Sequence, residues 1–139
     1  MNQHTMIDRE VKTVLKKSKN MSISEILRSC NTKILYADLE QETGGFTTSN
    51  SRCHTIVINS NYTGILQTFV IFHELGHLRL HNGVSTPFYR TLALGSFVPK
   101  IEREANEFAL KLLVSTESTN NISDLLNKVG LPQSMKSYL

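Results

Sequence analysis

The chain has 139 residues, 40% of them apolar and 19% charged, with a formal net charge of +3 at pH 7. That length suits one domain able to bury a core without staples. The composition excludes a disordered chain, and no apolar run approaches the roughly 20 residues of a membrane span.

The opening MNQHTMIDRE has no apolar stretch following a basic one, so no signal peptide is expected and the chain is expected in the cytoplasm. Cys30 and Cys53 form no CxxC and no disulfide framework, so both are expected as reduced thiols. From Met6 to Lys19, Ile7, Val11, Val14 and Leu15 recur at helical spacing. Lys12, Lys16 and Lys19 share one face of that helix and are expected to be solvated. No aromatic residue interleaves with these lysines, which argues against single-strand nucleic-acid binding. A second short helix is expected from Ser22, where Ser22 and Glu25 fit a capping box.

Lys33 to Ala37 reads as a strand, Gly44-Gly45 as a turn, and Phe46 to Thr48 as a second, short strand. His54 to Asn59 (HTIVIN), rich in β-branched residues, is the clearest strand and could offer an exposed edge to a peptide. A helix is then expected from about Thr63 to His81, stopped by Asn82-Gly83. Residues 83 to 99 read as a long loop of the kind that often carries function, pinned by packing of Phe88, Tyr89 and Phe97. The next helix runs from about Ile101 to Val114 with Ile101, Ala105, Phe108, Ala109 and Leu112 on its apolar face. The tail reads as two short helices, broken at Gly130, with Pro132 able to open the second at its first position. The expected organisation is therefore a single α+β domain over 1–139: N-terminal helices in 1–30, a small sheet and site core in 33–114, and a helical tail in 115–139.

Three of the five histidines fall within FVIFHELGHLRLH, residues 69 to 81. His73 and His77 are four apart, so both imidazoles project from one helix face and can reach one metal ion. Glu74 can stand beside a metal-bound water without being a ligand, which makes the segment an HExxH zinc-hydrolase motif. The pattern arises by chance in about one such chain in a hundred, so its surroundings matter. Phe69 to Phe72, Leu75 and Leu78 make the helix largely buried, and buried histidines and a carboxylate are costly unless paired or metal-bound. His81 lies two turns from His73, roughly 12 Å along the helix, too far to share an ion whose ligands all stand about 2 Å away. It is expected to cap the helix end or to hydrogen-bond to the strand or loop region, with a supporting role around the metal or a substrate contact as the lesser possibility.

An open zinc site needs a third protein ligand. The best donor is IEREANEFA, in which Glu102 and Asn106 share a face and Ala105 and Ala109 let that face approach the first helix. Glu102 is the expected third ligand, and Asn106 the expected hydrogen-bond partner of a ligand histidine. Glu104 and Glu107 are expected to be solvated surface carboxylates.

HELGHLRLH followed by EREANEFALKLL, with TIVINSN upstream, resembles the ImmA/IrrE family of metallopeptidase-like proteins over roughly Ile7 to Leu113. The resemblance implies a zincin-like fold, a short sheet packed on an HExxH helix and a second metal-ligand helix. It implies His73, His77 and Glu102 as ligands of one Zn²⁺ and Glu74 as the catalytic glutamate. It also implies an endopeptidase that relieves repression in a mobile element, such as a prophage, or in a stress response, by cleaving a helix-turn-helix repressor. Family members often read LLMP after the second helix, where this chain has LLVS, so a different helix exit is expected. The oxyanion stabiliser or substrate contact is left open among Tyr62, Tyr89, His54 and Arg90. Two other classes compete: an antirepressor that acts by contact around a structural zinc, and a DNA-binding regulator using the C-terminal helices. The first has no need of Glu74; the second has only Lys128 and Lys136 for phosphate contact.

Overall fold

The computed structural model describes residues 2–18, 22–82, 87–95, 97–117 and 121–139. The helices are α1 (Gln3–Lys17), α2 (Ile23–Ser29), α3 (Gly64–Leu80), α4 (Arg90–Ala93), α5 (Lys100–Glu117) and α6 (Ile122–Val129). The strands are β1 (Thr32–Ala37), β2 (Thr43–Asn50), β3 (Cys53–Asn59) and β4 (Phe88–Tyr89), and a 3₁₀ turn spans Gln133–Tyr138. The fold is α+β, with a four-stranded mixed sheet beside the helices. No helix among the described residues is long and apolar enough to cross a membrane.

The helix starts follow their caps. Asn2 accepts from the Thr5 amide to open α1, Ser22 accepts from the Glu25 amide to open α2, and Asn121 accepts from the Asp124 amide to open α6. Ile7, Val11 and Val14 of α1 are buried, while Lys12 and Lys16 are exposed as expected; Lys19 lies outside the described residues. Cys30 is buried, Cys53 exposed, and both are free thiols.

The sheet order is β1-β3-β2-β4, with β1 parallel to β3 and β2 antiparallel to both β3 and β4. Two expectations are corrected here. The His54–Asn59 strand is central, with β1 on one side and β2 on the other, so it offers no edge; its fully buried Ile56 and Ile58 explain why the most apolar strand goes inside. Gly44 and Gly45 are not a turn but lie within β2. A Cβ on Gly44 would sit 2.6 Å from the Phe88 ring, and one on Gly45 2.6 Å from the Val57 carbonyl oxygen, so both glycines serve close approach. The chain reversal falls instead at 38–42, held by buried Asn59, whose amide donates to the carbonyls of Glu40 and Thr43 at 2.9 Å each.

Helix α3 packs against β2, β3, α5 and α6, and every residue from Phe69 to Leu78 is buried. A helix enclosed on all sides carries little amphipathic pattern. Its contact with α5 is close because Gly76 faces Ala105. No proline interrupts α5, which runs on through Val114 and Ser115 to Glu117. Helix α1 covers α5 in turn.

The expected loop over 83–99 contains β4 and α4 among its described residues; Gly83 lies outside them. Of its aromatic residues only Phe88 is fully buried. Tyr89 is 39% exposed, because strand alternation turns it away from Phe88, and Phe97 is 95% exposed and pins nothing. In the tail, Gly130 closes α6 in the left-handed conformation at φ 82°, as expected. The second element is a 3₁₀ turn rather than an α-helix, and Pro132 stands at its cap, one place before the first position.

Candidate metal centre

Helical spacing on α3 and the close approach of α5 bring His73, His77 and Glu102 together. Their ligating atoms form a small triangle: His73 Nε2 to Glu102 Oε2 is 2.9 Å, His77 Nε2 to the same oxygen 3.1 Å, and the two Nε2 atoms are 3.2 Å apart. Ligands bound tetrahedrally at 2.0–2.1 Å from one ion stand roughly 3.3 Å from each other. The triangle therefore has nearly the dimensions of one face of such a site, and this set could hold a metal ion.

The hydrogen bonds around the triangle decide where the protons are. Asn106 donates its amide nitrogen to the Ala93 carbonyl at 2.9 Å, and that carbonyl can only accept. Its oxygen must therefore face His73 Nδ1, 2.7 Å away, and Nδ1 carries the proton. In a neutral ring this leaves the Nε2 lone pair pointing into the triangle. His77 Nδ1 lies 2.9 Å from His81 Nδ1, whose other nitrogen lies 3.1 Å from a Glu104 carboxylate oxygen that can only accept. The consistent assignment has His81 donating to Glu104 and His77 donating to His81, so His77 Nε2 also presents a lone pair. Two imidazole lone pairs and a carboxylate oxygen converge on one buried point, an arrangement that calls for a cation.

The ionisation states agree. Burial pushes His77 below the ordinary histidine value, and the nearby Glu102 carboxylate recovers only part of the shift. Burial pushes His81 down as well, against the opposing pull of Glu104. Burial alone would raise Glu102, but His73 and His77 hold it at about 2, ionised, when Nε2 protons stand in the place that a metal ion would take. Glu74 is fully buried, and neither of its carboxylate oxygens has a hydrogen-bond partner among the described residues. Burial, then the Glu102 charge, push it well above the ordinary carboxylate range. An ionisable group kept at that cost beside a cluster of metal-type donors is a functional-site signature.

The cluster is enclosed: His73, Glu74 and His77 are 0% exposed and Glu102 is 2%. Phe88 covers it, its ring edge-on to His73 with centroids 4.9 Å apart and seated against Gly44 and Phe69. The cover is tied down at both ends. Glu42 accepts from the backbone and hydroxyl of Thr91, and Ala93 is bound to Asn106. The Phe88 role was not visible from sequence; the only signal was an aromatic residue in the loop after an HExxH helix.

The other sequence candidates are dispersed. Tyr62 is buried and donates its hydroxyl to the Gln41 carbonyl at 2.8 Å. Arg90 is exposed and lies over the Tyr62 ring, 5.9 Å from guanidinium carbon to centroid. Tyr89 points outward beside Phe88. His54 is at the start of β3, bonded to Ser49 at 2.7 Å, whereas α3 follows the end of that strand.

A further expectation is corrected. Glu104 and Glu107 are not solvated surface carboxylates, because α1 packs over that face of α5. Glu107 is 4% exposed and pairs with His4 and Lys111 at 2.7 Å each; Glu104 is half-buried and bonds His81 and Gln3. His81 does cap α3, but its ring bonds His77 and Glu104 rather than the strand or loop region. The sequence signal for this was present, since His77 and His81 are four apart, which brings their rings within hydrogen-bonding reach on one side of the helix.

Comparison with known proteins gives two matches. The Peptidase_M78 family model, described as the IrrE N-terminal-like domain, matches residues 28–126. A protein of Bacillus phage phi105 named "Uncharacterized immunity region protein 2" is 40% identical over 111 residues, covering 80% of this chain and 70% of that protein.

Proposed function

The chain belongs to the Peptidase_M78 family of IrrE N-terminal-like domains, and from that premise we propose that it is a zinc-dependent endopeptidase. The observation that carries this reading is the convergence of the two Nε2 lone pairs and the Glu102 carboxylate beside the unpartnered Glu74. His73, His77 and Glu102 would hold one Zn²⁺. When bound, that ion supplies Lewis acidity, polarising a scissile carbonyl and making water acidic enough to attack it near neutral pH. Glu74 takes the proton from the attacking water at a carboxylate oxygen and returns it to the nitrogen of the leaving amine. Burial and the Glu102 charge raise its proton affinity, the direction that favours taking up a proton. Asn106 keeps the His73 proton on Nδ1, and so keeps Nε2 free to bind. Glu74 is 0% exposed, so a peptide reaches it only after neighbouring groups move, and the Phe88 ring against His73 is the proposed one.

The proposed substrate is a protein, a helix-turn-helix repressor controlling a mobile element. The relative's place in a phage immunity region supports this reading. A contact-only antirepressor has no use for a buried, unpaired carboxylate. A DNA-binding tail would need a second α-helix after Gly130, where a six-residue 3₁₀ turn stands. The test is to incubate the purified protein and zinc with the repressor encoded beside it and to read cleavage by mass spectrometry. Cleavage by the native chain and none by Glu74→Gln is expected. An intact repressor with both proteins, although derepression still occurs in a reporter cell, would overturn the enzyme reading.

A further inference from the structure

We propose that His81 and Glu104 are positioning residues for His77, forming with it a hydrogen-bonded chain that aims and strengthens one metal ligand. This rests on the proposed metal reading of His73, His77 and Glu102.

The two histidines of the triangle are oriented by different means. His73 is fixed by a neutral amide, Asn106. His77 instead faces a second imidazole, and that imidazole faces a carboxylate. The chain runs His77 Nδ1 to His81 Nδ1 at 2.9 Å, then His81 Nε2 to Glu104 Oε1 at 3.1 Å. Gln3 on α1 bonds the other Glu104 oxygen, so the far end is itself held. Three elements, α3, α5 and α1, therefore converge on the orientation of one ring.

The polarity of the chain has one solution. Glu104 accepts from His81, which forces the His81 lone pair onto Nδ1, where it accepts from His77. The His77 proton is thereby confined to Nδ1 and its Nε2 lone pair to the metal side. A carboxylate polarising the chain draws positive charge away from His77 Nε2 and makes it a better donor, as outer partners of ligating histidines do. Packing alone does not require this. An apolar residue at 81 would fill the space between α3 and α5, but it would leave the His77 N–H, in a ring that is 0% exposed, without an acceptor. Position 81 is also the first after α3, so its ring is the last that can still fold back onto the helix face carrying His73 and His77.

The experiment measures zinc affinity by chelator competition in the full chain, with cobalt absorption spectra of the same proteins. The variants are His81→Leu, His81→Asn and Glu104→Ala. Leu removes the acceptor, and Asn restores an oxygen near the Nδ1 position. Expected is one zinc per chain throughout, with affinity lowered roughly 10–100-fold in His81→Leu. Most of that loss should be recovered in His81→Asn, with Glu104→Ala in between, and the cobalt bands should shift in His81→Leu alone. Native affinity in His81→Leu would overturn the proposal. So would equal weakening of the Leu and Asn variants alongside equal losses of melting temperature, since that pattern is packing. Should His81→Leu fail to fold, native affinity in Glu104→Ala would overturn it by itself. Failure of the native chain to bind zinc would instead remove the metal reading on which the proposal rests.

Discussion

A Cβ on Gly76 would lie 3.3 Å from the Ala105 Cα and 3.1 Å from the Phe108 ring. Gly76 and Ala105 thus let the α3 and α5 backbones approach closely enough for Glu102 to reach between His73 and His77. Gly76→Val would drive its γ-carbons into the Ala105 backbone. The expected result is destabilisation of about 1–3 kcal/mol from overpacking, together with weakened zinc binding as the triangle widens. Thermal melts and zinc titration check it; native affinity would mean that the close approach does not set the triangle.

The two carboxylates of the site should respond to pH with opposite signs in the metal-free protein. Glu102, held at about 2 against an ordinary 4.5, gives stability that is fully present above 4.5 and lost as pH falls toward 2. Glu102→Gln should flatten that acid limb. Glu74 is raised well above 4.5, so the folded state binds its proton more tightly than the unfolded chain does. Stability therefore declines as pH rises from 4.5 toward the folded value. Glu74→Gln should be no more stable than the native chain below pH 4.5 and more stable at neutral pH, because it escapes the linkage cost of the raised carboxyl pKa. Denaturant melts across pH 4–8 test this, and a difference independent of pH would contradict the assignment.

Zinc should bind at one ion per chain and raise the melting temperature, with about 2.7 kcal/mol of added stability at a free concentration of 100 Kd. A chelator should reverse the gain. His77→Ala should lose most of the zinc, whereas His81→Ala should keep one ion at reduced affinity. Equal and complete loss in both, by elemental analysis, would make His81 a ligand.

Phe88 should act as the cover. Phe88→Ala removes a fully buried ring and should cost about 3–5 kcal/mol. It should also speed zinc release to a chelator in stopped-flow measurements, since the ring packed on His73 would be gone. Unchanged release would place the route to the site elsewhere.

The candidate site was legible in the sequence because its parts are local. His73, Glu74 and His77 need only the helical repeat, and Glu102 and Asn106 need only the same repeat one helix later. The proposals of zinc and of Glu74 as the acid–base group rest on those residue types, and the family resemblance on the same two segments. Helices α1, α2, α3, α5 and α6, strands β1 and β3 and the middle of β2 were legible too, through caps, apolar spacing and β-branched runs, whereas α4 and β4 lay in what reads as a loop. What needed the tertiary structure were the relations between distant segments. Strand order depends on which strand buries both edges, and nothing within HTIVIN distinguishes a central strand from an edge. Gly44 and Gly45 read as a turn because a glycine pair permits both a reversal and a close contact; only the Phe88 ring and the Val57 carbonyl, far along the chain, choose between them. Glu104 and Glu107 read as surface charges until α1 packs across α5 and encloses them. The sequence alone determined which groups could bind a metal. The packing of α1, α3, α5 and β4 decided which protons those groups carry, because each proton follows an acceptor that only tertiary contact supplies.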